Sequence, residues 1–150
     1  MTEFLDDAKE ELKRVDHLIY VSLKYTRTVD VLKNIIERLI NFFDFIIDGL
    51  LEQAKNKKKI KEIPISPKLK CEVLINLYKN DTFNSYIDFY LLLRRLSRAE
   101  YTRRNEYRRH VTMTAIFNSG EIMEINMDII NEYFEKAKIF VEYIEEKYVK

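Results

Sequence analysis

The chain has 150 residues with 26 Lys+Arg against 25 Asp+Glu, a formal net charge of +1. That length fits one domain, 1–150, with room for a buried core, and that charge gives no overall pull toward a polyanion. With 47% hydrophobic residues but only two glycines and two prolines, the composition excludes a disordered chain and argues against an all-β fold, favouring long helices.

The acidic, amphipathic start MTEFLDDAKEELK has neither the basic beginning nor the apolar centre of a signal peptide. The longest near-apolar run, 39–47, is interrupted by Asn41 and Asp44 and is too short for a bilayer. A cytoplasmic protein without membrane association is expected. Over 3–24, Phe4, Leu5, Ala8, Leu12, Val15 and Ile19 recur at spacings of three and four, one stripe of a helix. His17 falls about 200° around the wheel from Val15 and points to solvent. A break is expected at 25–28. From 29 to 54 a wider face, Leu32, Ile35, Ile36, Leu39, Ile40, Phe43, Ile46, Ile47, Leu50 and Leu51, predicts the central helix, which needs at least two partners to cover it.

Residues 55–66 read as a loop whose lysines (Lys55, Lys57, Lys58, Lys59, Lys61) are solvated and complement the end of the preceding helix. Ser66-Pro67 is a start signal, a capping hydroxyl followed by proline in the first turn. It opens a short helix in which Cys71, among Val73, Leu74 and Leu77, is a small core residue. One cysteine and two histidines leave no framework for a disulfide or a zinc site. Asn80-Asp81 makes a turn with Asp81 as cap. The next helix carries Phe83, Tyr86, Ile87, Tyr90, Leu91, Leu93 and Leu96. Past His110 the period becomes alternating, with Val111, Met113 and Ala115 between Thr112 and Thr114. The Asn118-Ser119-Gly120 turn then predicts a β-hairpin over about 111–125. Asn126 caps a last helix with Ile129, Ile130, Tyr133, Phe134, Ala137, Phe140, Val141 and Ile144 as its stripe. The expected architecture is all-α, an up-and-down bundle of about five helices with this small hairpin before the last. Carboxylate pairs such as Glu10-Glu11 and Glu145-Glu146 are read as solvated.

The chemistry concentrates in 94–110, RRLSRAEYTRRNEYRRH, where seven arginines face only Glu100 and Glu106. A planar guanidinium grips phosphate with two parallel hydrogen bonds, which an ammonium cannot do. Tyr101 and Tyr107 supply rings on which unpaired bases can stack. A purely structural use is also open, in which the arginines pair with the acidic first helix (Glu3, Asp6, Asp7, Glu10, Glu11) or the last (Glu132, Glu135, Glu142). A helix unbroken to His110 puts Arg103, Tyr107 and His110 on one face. A helix ending near Asn105 lets the chain fold back and bring Arg104, Asn105 and His110 together.

Arg104-Asn105, four residues and His110 (RNEYRRH) resemble the motif of the HEPN superfamily, whose domains are helical bundles. The resemblance implies a protein that binds RNA or nucleotides, or a metal-independent endoribonuclease of a toxin–antitoxin or defence system, acting without cofactor. It further implies a homodimer, with an antitoxin or a nucleotidyltransferase as partner. Arg104 would hold the scissile phosphate, Asn105 would orient a reacting oxygen, and His110 would move the proton of a ribose 2′-hydroxyl or of the leaving oxygen. Arg98, Arg103, Tyr107, Arg108 and Arg109 would bind the RNA. Thr112 stands where a nucleotidylated tyrosine is common in that family, leaving Tyr107 as the alternative target. The competing expectations are a noncatalytic dimerisation or interaction module and a protein that binds a nucleotide or small anion.

Overall fold

A computed structural model describes residues 3–149; Met1 and Thr2 of the acidic start and Lys150 lie outside them. Five α-helices are joined by a small sheet in the order α1 (Glu3–Lys24), α2 (Val29–Asn56), α3 (Pro67–Tyr78), α4 (Asp81–Arg98), β1 (Glu100–Arg104), β2 (Thr112–Ile116), β3 (Ile122–Ile125) and α5 (Met127–Ile144). A π-helical turn, Glu145–Val149, follows.

The punctuation follows local chemistry. Thr28, Ser66, Asn80 and Asn126 are extended residues whose side-chain oxygens accept hydrogen bonds from the backbone N–H groups of Val31, Leu69, Phe83 and Ile129. Each relieves one of the orphan donors at a helix start. The cap of α4 is therefore Asn80, not Asp81. Its carboxamide accepts without adding charge, and Asp81 takes the first turn, where its negative charge suits the helix dipole.

Helix α2 is the axis of the bundle. Its stripe, from Val29 to Ala54, is buried against α1, α3, α4 and α5, as the breadth of its apolar face requires. The middle of the core is aromatic. Phe43 stacks on Phe140 with ring centres 4.9 Å apart and meets Phe89 and Tyr90 at 5.6 Å, which locks α2, α4 and α5 together. Cys71 is buried in this core, where burial raises its thiol pKa to about 11, so it stays protonated and unreactive at neutral pH. Among the described residues no helix is long and apolar enough to cross a membrane.

Two further expectations need correction. The bundle of five helices is as expected, but its β part is larger than a hairpin. Besides the expected hairpin, β2–β3, there is a third strand, β1, giving an antiparallel meander β1-β2-β3. Helix α4 accordingly ends at Arg98, so neither an unbroken helix to His110 nor a helix ending near Asn105 forms. Arginine and glutamate are good helix formers, but strand β2 needs a partner on each side. Tyr101 and Arg103 alternate correctly to provide one, so pairing overrides propensity. The second correction concerns Glu11, which is buried rather than solvated. It sits between α1 and α2 with Arg14 at 2.7 Å and Arg38 at 3.5 Å. Desolvating a carboxylate is costly, and the two guanidiniums offset that cost.

Candidate nucleic-acid interface

The arginine-rich segment is built from three pieces. It leaves the end of α4, runs along β1 and closes in the loop 105–111. In β1 alternate residues face opposite ways. Tyr101 and Arg103 face α2. The Lys33 ammonium lies 4.8 Å from the Tyr101 ring centre, and the Arg103 guanidinium is 2.8 Å from Asp30 and 3.5 Å from Glu106. Thr102 and Arg104 occupy the outer face, where Arg104 reaches across β2 to Glu124 of β3 at 3.0 Å. Among the described residues the ion pairs of this tract thus run to Asp30, Glu106 and Glu124, not to the acidic faces of α1 and α5.

Beyond Arg104 the backbone turns through two left-handed residues, Asn105 (φ 56°) and Tyr107 (φ 64°). Asparagine tolerates that region; tyrosine does so only at a cost. The loop is held by bonds to the α1–α2 connection. The Tyr107 N–H donates to the Arg27 carbonyl, and the Arg27 guanidinium donates to the Arg109 carbonyl at 3.3 Å. The Glu106 carboxylate accepts from the Val29 N–H at 3.0 Å, satisfying a donor at the start of α2. Inside the loop Arg108 N–H bonds to the Asn105 carbonyl and Val111 N–H to the Arg108 carbonyl, while the Thr112 hydroxyl donates to the His110 carbonyl.

What this clamp displays is polar and open. Tyr107 is 77% exposed, and Arg108, Arg109 and His110 are exposed beside it. Among the described residues the side chains of Arg108, Arg109 and His110 form no ion pair, in contrast to those of Arg103 and Arg104. Arg109 and His110 line a cleft of about 270 Å³ together with Arg27, Asn126, Met127, Asp128 and Asn131, at the start of α5.

The expected site residues therefore fall into groups. Asn105, Tyr107, Arg108, Arg109 and His110 share one loop. Arg104 precedes it directly, but its guanidinium is engaged by Glu124 and it is not among the residues that line the His110 cleft. Arg103 is held against α2. Arg98 ends α4, beyond the opposite end of β1 from the loop. There it lines a separate cleft with Arg95, Ala99, Phe117, Asn118 and Ser119. The sequence reading missed Arg27, Asn126, Asp128 and Asn131. Arg27 lies 82 positions before Arg109, and no periodicity announces it. No group of three His, Cys, Asp or Glu side chains among the described residues converges as a metal site would.

Comparison with family models, with characterised proteins and with solved structures finds no match to this chain.

Proposed function

We propose that this protein binds single-stranded RNA in the cytoplasm through the loop 105–110. One observation carries the reading. An exposed tyrosine is held in left-handed backbone beside Arg108, Arg109 and His110, whose side chains have no ion-pair partner among the described residues. A rigidly presented ring stacks on a splayed base, and neighbouring guanidiniums hold the flanking phosphates. The choice of RNA rests on the HEPN-like spacing of RNEYRRH. The test is anisotropy of a labelled single-stranded RNA titrated at several salt concentrations. Binding should weaken as salt rises, and Tyr107→Ala should lower affinity by roughly 5- to 150-fold, the value of one stacked base. If affinity is absent, or unchanged in Tyr107→Ala, the chain reverts to an interaction module without nucleic-acid function.

A second reading is metal-independent cleavage, favoured by the solvent-open placement of His110 beside Arg27 and Arg109. The imidazole takes the proton of a ribose 2′-hydroxyl, and the 2′-oxygen attacks the adjacent phosphorus. The bond to the 5′-oxygen breaks, with water supplying the leaving proton, to give a 2′,3′-cyclic phosphate and a 5′-hydroxyl end. Guanidiniums stabilise the charge that develops on the phosphate. Arg104 joins them only by exchanging Glu124 for the phosphate, and Asn105 orients the reacting oxygen. Cleavage should then proceed in EDTA and vanish in His110→Ala with an unchanged melting temperature, since His110 is exposed. RNA that is bound but left intact rules this second reading out.

A further inference from the structure

Strand β1 is paired on one side only. Its other edge bears a row of backbone donors and acceptors with no ladder partner among the described residues. Such an edge invites another strand unless its side chains forbid it. The side chains here do the opposite, because Glu100-Tyr101-Thr102-Arg103-Arg104 is complementary to itself when reversed. We propose that β1 pairs antiparallel with β1 of a second copy of this chain, centred on Thr102, to make a continuous six-stranded sheet.

The register follows from symmetry. In an antiparallel pair directly opposed residues share a face. A two-fold axis through two identical edge strands must therefore pass beside one residue and its own copy. Centring on Thr102 sets Glu100 opposite Arg104 of the second copy and Tyr101 opposite its Arg103, twice over. Centring on Arg103 would instead oppose arginine to arginine and leave Glu100 unmatched. On the outer face Glu100 has no ion-pair partner among the described residues, while Arg104 is bound on one side by Glu124. In the pair the second copy's glutamate lies beside the other side of that guanidinium, and Thr114, Thr102 and their copies form one unbroken row of threonines between Glu124 and its copy. On the inner face the Tyr101 ring, already near its own Arg103 (5.4 Å) and Lys33, gains a second guanidinium. Strand β3, the other edge, offers no such match, since centring on Met123 opposes Ile122 to Glu124 and centring on Glu124 opposes two glutamates. The interface is isologous and closes at two copies. It does not depend on RNA binding.

The test is sedimentation equilibrium of the full chain over micromolar to millimolar concentration. Wild type should show a concentration-dependent rise to twice the monomer mass. Glu100→Arg and Arg104→Glu should each remain monomeric, because each homodimer opposes like charges. An equimolar mixture of the two variants should recover the dimer, since in the heterodimer every Arg again faces a Glu. Circular dichroism checks that each variant is folded. If one is not, amide exchange of wild-type 100–104 replaces it, with protection that grows with protein concentration expected. A wild type that stays monomeric, single variants that dimerise like wild type, a mixture that stays monomeric, or exchange independent of concentration each overturns the proposal.

Discussion

Gly49 lies inside α2, where a Cβ would overlap the ring of Phe4 from α1. Two effects of Gly49→Ala then oppose each other. Alanine favours the helix by about 1 kcal/mol, whereas displacing a packed aromatic ring costs about 1–3 kcal/mol. The ring should win, and the melting temperature should fall. In a Phe4→Ala background the obstacle is gone, so the same substitution should stabilise by about 0.5–1 kcal/mol, a change of sign that denaturant unfolding reads directly. Asp44 supplies a second prediction. Burial raises its carboxyl above the ordinary 3.8, against the lowering effect of its hydrogen bond from Tyr90. A raised carboxylate pKa favours the fold when protonated. Its contribution is therefore complete below the unfolded value and is lost as pH rises through the raised folded value. Asp44→Asn should remove that part of the pH dependence, measured as the melting temperature from pH 3 to 7.

At the scale of elements, the helices were legible because each carries an apolar stripe of the correct period, joined in α3 and α5 by a recognisable capping side chain. Ser66-Pro67 and Asn126 could be assigned from a few neighbouring residues alone. Strand β1 was not legible in this way. Its five residues include two arginines and a glutamate, and their alternation acquires meaning only when β2 lies alongside. The site divides in the same manner. The loop 105–110 could be picked out by composition, but its clamp could not, since Arg27, Asp30 and Val29 come from the far side of the chain. Glu106 shows what that clamp is worth. Its carboxylate serves the Val29 N–H, which belongs to a fully buried residue. Glu106→Ala should cost about 1–3 kcal/mol by stranding that donor, while Glu106→Gln, which keeps an acceptor, should cost less. Chemical denaturation of both variants distinguishes a lost hydrogen bond from a lost charge.

Over the whole molecule, a net charge of +1 conceals an uneven distribution. The 94–110 tract is strongly basic, and its arginines are used differently: Arg103 and Arg104 meet carboxylates, Arg94 and Arg95 lie over the Tyr90 and Phe117 rings, and Arg108 and Arg109 form no ion pair among the described residues. Arg103→Ala should lower the melting temperature slightly, because it loses Asp30 and Glu106, yet leave the salt dependence of RNA binding as it was. Arg109→Ala should do the reverse, with the logarithmic slope of affinity against salt falling by about 0.7 for one lost contact to a single strand. The clamp also joins residues that the chain brings together late. The bond from Val29 to Glu106 spans 77 positions, so closing that loop is entropically costly and the contact is expected to form late in folding. Contacts made after the rate-limiting step leave the folding rate untouched and govern how fast the native state opens. In a chevron plot Glu106→Ala should therefore leave the folding limb in place and raise the unfolding limb, roughly tenfold for a loss near 1.4 kcal/mol. The segment that presents Tyr107 would then be the last part of this protein to set and the first to let go.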